Sequence, residues 1–409
     1  MVATDSIATR ARRLLVAAVC CSFLLNGCEK RSDSVETGAP SQAQQQDTQA
    51  LEQVTAKAWL SADQSTAQAE QELLILQTAI QHLRNDPSEL TLADARAQWH
   101  VSHEKINQLQ PFFTLGQINP GLFKQLQQAH WQLDAWPIEP GYIDYFDVYQ
   151  HSGIVNDITL PINAQAIRQQ HGFTSDSDVV LGMHAIAYLL WGEDQRRPAS
   201  DFISQAPSTS QQQNGLAGAD LPAPRRAALI GLQLSLMLDD LKAIRYKLNH
   251  KASALNTNYA NLPARSQLQL WQQGIDHLLR HQLIGEQIAP LALSSSSVNV
   301  KSLDSETDSQ QSAAASDFYQ HQQFAGQQAQ SIESTLNAIE QLLLGDDKPQ
   351  QTLAYWINTE IDIAQLRDSF AGARQKLQEA QGQWTSLKPE QIQTMQEQIE
   401  NLALQLTPH

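Results

Sequence analysis

A chain of 409 residues with 43 acidic against 27 basic side chains carries a net charge of −16, which leaves no basic footprint for nucleic acid and repels anionic lipid headgroups. Its three cysteines, Cys20, Cys21 and Cys28, stand near the N-terminus. The rest of the chain therefore has neither a disulfide nor a thiol nucleophile to draw on, and its stability must come from core burial.

The first residues read as a targeting segment. Arg10, Arg12 and Arg13 precede an apolar run from Leu14 to Leu25, too short for a spanning helix but of the length of a signal-peptide core. Leu25-Asn26-Gly27-Cys28 follows and resembles a bacterial lipobox, in which the cysteine carries lipid; the alternative is an ordinary signal peptide with an incidental cysteine. The expectation is removal of residues 1–27, lipidation at Cys28 and, with Glu29 rather than Asp behind it, an outer-membrane lipoprotein facing the periplasm. Residues 28–52, poor in apolar side chains, are expected to be a flexible tether.

From Val54 onward the pattern is helical. Leu73, Leu74, Leu76, Ile80 and Leu83 form a stripe that stops at Asn85-Asp86-Pro87. A second stripe carries Leu92, Ala95, Trp99, Ile106, Leu109 and Phe113, and a third Leu122, Leu126, Ala129 and Leu133, ending at Trp136-Pro137. The stretch 140–161 is irregular and aromatic. Val179 to Gly192, VVLGMHAIAYLLWG, is apolar on nearly every side when wound as a helix and predicts a central core helix. Ser175 to Asp178 offer N-cap oxygens, and Gly192 is placed to end it.

Residues 193–222 lose the apolar period and read as a connecting excursion. Helices are expected again over 224–248, 268–288, 332–344, 352–377 and 391–406, with a low-complexity, disordered loop at 294–315. Strand patterns are absent. The expected fold is all-α: two up-down bundles in sequence, 53–192 and 223–409, with a pocket between them.

One imidazole, His184, is carried into the core helix, with Gly182 beside it allowing close approach of another backbone. Gly182-Met183-His184-Ala185-Ile186, running into Tyr188 to Gly192, resembles the signature segment of the imelysin family, Gly-x-His-x-x-Glu followed by Leu-Leu-Trp-Gly. Here Ala187 stands at the glutamate position. Asp134-Ala135-Trp136-Pro137 with Tyr142-Ile143-Asp144, Arg225-Arg226, and Ile284-Gly285-Glu286 are similar to further landmarks of that family. The resemblance implies two helical bundles with a pocket at their junction, an anchored or periplasmic protein tied to iron acquisition, and, from one founding member, metallopeptidase activity.

Several side chains are candidates for a site. His184 is a core histidine on spacing alone, whereas the resemblance turns it toward the pocket as a metal ligand. Its i+3 neighbour Ala187 offers no carboxylate, which weakens metal binding through the motif and peptidase chemistry more so. His103 lies inside the buried stripe near Trp99, and His100 at its edge. His277 and His281 have i, i+4 ligand spacing on a polar face and read as solvated. Asp134, Glu139, Asp144 and Asp147 crowd the aromatic connection. The expected pocket thus comprises His184, Gly182, Tyr188, His103, Trp136, Asp134 and Asp144. No zincin pattern, nucleophile elbow or phosphate loop occurs. The resulting expectation is a non-enzymatic binding component associated with iron or haem uptake, with a changed or lost metal site. Iron or another divalent metal is its possible ligand, iron-uptake components are its possible partners, and nucleic acid is excluded. A metallopeptidase and a protein-binding adaptor are the alternatives.

Overall fold

The computed structural model describes residues 41–292, 324–345 and 348–407. The expected signal segment, Cys28 and the expected loop at 294–315 lie outside them. Among the described residues the structure is helical, and its one β feature is an isolated antiparallel bridge between Phe146 and Tyr149.

The longest helix, α1, spans Gln42–Asn85. It starts earlier than the expected tether to residue 52 allows. Ser41 and Gln44 form a reciprocal capping box, the Gln- and Ala-containing turns that follow suit a helix, and Leu51 is already buried. Three helices follow, α2 (Glu89–Asn107), α3 (Gln110–Ile118) and α4 (Pro120–Asp134). Two short helices, α5 (Pro140–Ile143) and α6 (Ala164–Gln170), interrupt the irregular stretch before α7 (Met183–Trp191). Beyond it come α8 (Thr209–Gln213), α9 (Pro222–Asn249), α10 (Ala254–Ala260) and α11 (Ala264–His277), the last continuing as a π-helical stretch, Leu278–Ile288. The chain closes with α12 (Gln328–Leu343), α13 (Leu353–Ile357), α14 (Ile363–Ala380) and α15 (Pro389–Gln405).

The helices do not pair as two bundles divided at 193–222. α9, which follows that stretch, packs along α1 and against α4 and α7, whereas α3 packs on α11. Buried apolar side chains from Leu51 to Leu406 form one cluster. The sequence periods locate each helix but carry no information on which face meets which, and the long α1 and α9 stripes match each other. The excursion itself is not all peripheral, because Ala199, Phe202 and Arg197 are buried.

The core helix is shorter than its apolar run. Val179 to Leu181 are outside it, with the Val180 carbonyl accepting from Gln233 Nε2 at 2.8 Å and its N–H donating to His171 Nδ1 at 3.3 Å. Asp178 does not cap α7; its carboxylate accepts the N–H groups of Thr174 and Ser175 and closes its own turn. Gly182 is the N-cap and Gly192 the C-cap, at φ 94°, ψ 175° and φ 70°, ψ −173°. Both occupy a region that is almost closed to residues with a Cβ. Every residue between them is buried, as the absence of a polar face requires.

Candidate metal centre

α7 approaches the end of α4 through Gly182. A Cβ at that position would stand 3.0 Å from the carbonyl carbon and oxygen of Leu133 and 3.2 Å from the Asp134 nitrogen. Glycine therefore sets the distance between the last turn of α4 and the first turn of α7, and with it the distance between Asp134 and His184. Gly182→Ala is expected to destabilise the protein by about 1–3 kcal/mol from the backbone region alone, and to push His184 away from Asp134. A thermal melt checks the first effect; an unchanged midpoint would remove Gly182 from this role.

α2 supplies the third group. Trp99 is buried, donates its Nε1–H to the Met183 carbonyl at 2.9 Å and stacks on His103 at 4.8 Å with the rings 16° apart. The indole thus fixes both the start of α7 and the plane of the His103 imidazole. His103 Nε2 lies 2.9 Å from Asp134 Oδ1, and His184 Nε2 lies 3.3 Å from the same oxygen. The other oxygen, Oδ2, accepts from Gln110 Nε2 at 2.8 Å. One nitrogen from each histidine and a carboxylate oxygen lie within 4.8 Å of one another, and all three residues are buried.

Burial would raise the Asp134 carboxyl, but the two imidazoles, His103 foremost, more than offset it and hold it well below the ordinary carboxylate range. Burial pushes His184 below the usual imidazole value, against the pull of Asp134. His130, half-buried, is lowered in the same way, with Asp134 again opposing. The cluster thus combines an ionised carboxylate with a His184 ring that burial keeps neutral, the protonation states in which these groups ligate metals.

The surroundings are aromatic. Trp136 lies 5.0 Å from the His184 ring, and Phe324 packs edge-on to Tyr188 at 5.0 Å. His103 also lines a groove of about 330 Å³ with His100, Glu104 and Asn107 of α2 and Ser331 and Ser334 of α12. A larger groove, about 630 Å³, includes Lys57, Gln64, Gln68, Gln108 and Gln341 in its lining but none of these histidines.

Five of the seven expected site residues meet here: His184, His103, Asp134, Gly182 as spacer and Trp136 as wall. Two do not join the ligating group. Tyr188 donates its hydroxyl to the Tyr145 carbonyl at 2.6 Å, and burial raises it above the ordinary phenol value. Asp144 faces two arginines instead. Arg226 donates Nε and Nη2 to its two oxygens at 2.6 and 3.0 Å, and Arg197 Nη1 lies 3.0 Å from Oδ2. Asp147 is an exposed loop residue at φ 44°. His277 and His281 stack on each other at 4.6 Å; His281 is exposed and 3.2 Å from Glu286, whereas His277 is half-buried and burial pushes its imidazole down. Gln110, Asn107 and His130 stand outside the expected set. The i+4 spacing of Asn107 from His103 is a signal that could have found it, whereas nothing in the sequence singles out Gln110.

Ala187 is buried one turn beyond His184. The carboxylate beside the signature histidine therefore comes from the end of α4 and not from α7. In fold, a crystal structure of an imelysin-like protein from Psychrobacter arcticum 273-4 is similar with a TM-score of 0.52 at 13% identity, over 88% of this chain and 93% of that one. The crystal structure of a protein named a putative iron-regulated protein A precursor, from Parabacteroides distasonis ATCC 8503, gives 0.57 at 13% identity, over 91% and 95%. No curated protein matches the chain in sequence. The imelysin family profile matches residues 60–408, which takes in α2, α4 and α7 with the whole of the His-Asp-His cluster, and the chain belongs to that family.

Proposed function

We propose that the protein binds a first-row divalent cation at His103, Asp134 and His184, as a non-enzymatic component of iron handling held at the membrane surface by lipid on Cys28. The observation that carries the reading is the convergence of two imidazoles and one carboxylate, all buried, from three separate helices. Two nitrogens and one oxygen suit iron(II) or zinc better than calcium or magnesium, which prefer oxygen alone. Gln110, whose Nε2 donates to Asp134 Oδ2, has no hydrogen-bond partner for its Oε1 among the described residues, a further neutral oxygen beside the cluster. The similar protein from Parabacteroides distasonis is named as iron-regulated, which supports iron as the first ion to try. A bound ion would act as a Lewis acid there, but hydrolysis also needs a separate base. Asp134 is engaged by both imidazoles and Gln110, so it supports a ligand role and not that one.

Isothermal titration of the metal-free protein with Zn²⁺ and, anaerobically, with Fe²⁺ tests the site, with one ion per chain expected. No uptake of either ion would sink the reading, and peptidase activity abolished by a chelator would replace it with the enzymatic one. Among the described residues no helix is long and apolar enough to cross a membrane. The Leu25-Asn26-Gly27-Cys28 sequence supports the anchor. Cys28→Ser is expected to move the protein from the membrane fraction to the soluble one, and a variant that stays membrane-bound after signal cleavage would place the anchor elsewhere.

A further inference from the structure

His103 stands between two polar neighbours, Nε2 at 2.9 Å from Asp134 Oδ1 and Nδ1 at 3.4 Å from Asn107 Nδ2. Asp134 Oδ2 takes the Gln110 amide, and its Oδ1 is shared by two imidazoles. A carboxylate used as acceptor on both oxygens leaves the shared proton on His103 Nε2. In the neutral ring Nδ1 then carries no proton and accepts from Asn107. The same amide nitrogen donates to Ser331 Oγ at 3.0 Å. Asn107 lies one turn after His103 on α2, Ser331 faces it from α12, and both are buried.

A cation held by Nε2 cannot share that nitrogen with a proton, so the neutral ring must carry its proton on Nδ1. Nδ1–H would then oppose the Asn107 N–H, donor against donor. An asparagine amide can remove the conflict by turning half a revolution about its Cβ–Cγ bond. That places Oδ1 where Nδ2 was, as acceptor for Nδ1–H. The Ser331 hydroxyl, which can rotate, changes from acceptor to donor. Thr335 does not block this, since its hydroxyl bonds the Ser331 backbone carbonyl.

We propose that Asn107 is a positioning residue that sets the tautomer of His103, and that its amide and the Ser331 hydroxyl reverse together when the site takes up a divalent cation. The reversal rests on the metal reading above, whereas the tautomer of the metal-free protein does not. Partners of the second nitrogen of a ligating histidine commonly change metal affinity 10–100-fold. An amide serves both states, which a carboxylate or a backbone carbonyl could not.

Nitrogen-15 NMR of labelled histidine is the direct test. His103 is expected as the Nε2–H tautomer without metal and Nδ1–H with Zn²⁺. Asn107→Asp, acceptor only, should hold Nδ1–H without metal and tighten Zn²⁺ about 10-fold; Asn107→Leu should weaken it about 10–100-fold. A merely structural role would lower the melting midpoint in both variants without moving the tautomer in opposite ways. Nδ1–H in the metal-free wild type, or both variants shifting zinc affinity in one direction, overturns the proposal. Zinc uptake with an unchanged His103 tautomer overturns the reversal alone. No zinc uptake by the unmodified protein overturns the metal reading and the reversal with it.

Discussion

Asp144→Ala is expected to destabilise the protein by about 3–5 kcal/mol, because it removes the counter-charge of two buried guanidinium groups. Asp144 is fully buried and saturated: Arg226 binds both oxygens, Arg197 and the Tyr145 N–H add further contacts, and Asn156 reaches Oδ1 at 3.5 Å. Arg197 and Arg226 are themselves buried and lie over the Tyr145 ring at 4.6 and 5.6 Å. Burial would lower Arg226, but Asp144 more than offsets it and the guanidinium is held above its usual value. Three segments distant in sequence meet at this carboxylate: the 144–157 stretch, the turn after α7 and the start of α9. With alanine at 144, two positive charges remain in the interior with only Asp201 beside them. Urea unfolding measures the loss. The double change Asp144→Ala with Arg226→Met should recover part of it, since one uncompensated charge goes with the arginine. A loss below about 1 kcal/mol would mean water reaches these groups and the network is not a buried lock.

The helices were legible in the sequence and the two charge clusters mostly were not. Apolar stripes such as Leu92, Ala95, Trp99 and Ile106 report a local period, and each falls on the buried face of its helix. Pairing between helices is not local. Arg226 meets Asp144 across 82 positions, and Arg96 caps the Leu190 carbonyl across 94. Arg197 lies in a stretch that reads as a connecting excursion, because one buried guanidinium among polar residues leaves no periodic trace. The signature histidine stands out because an imidazole in a wholly apolar helix is unusual. Spacing rules place its carboxylate at i+3 on the same helix. The actual neighbour arrives from another helix, through an approach that Gly182 permits. Gly182 itself was visible as a site of close approach; the partner it admits was not.

Asp134→Asn is expected to abolish high-affinity cation binding while leaving the helices folded. The substitution keeps the shape and an oxygen that can still accept from the imidazoles, but removes the one charge that attracts a cation into a buried setting. Loss of at least the 10–100-fold that outer-sphere changes produce is expected in zinc affinity, read by calorimetry. Asp134→Ala tests a different quantity. It leaves His103 Nε2 and Gln110 Nε2 without their shared acceptor in a buried site, and each buried donor so stranded costs about 1–3 kcal/mol. The alanine variant should therefore melt well below the asparagine variant although neither binds the ion. Were the cluster a purely structural polar network, Asp134→Asn would leave zinc affinity where it was, at whatever weak surface sites supply it. Were it a metal centre, added Zn²⁺ would raise the melting midpoint of the unmodified protein by mass action and leave both variants unmoved. That contrast is decided by melts alone, with and without the ion, and does not depend on knowing which metal the protein carries in the cell.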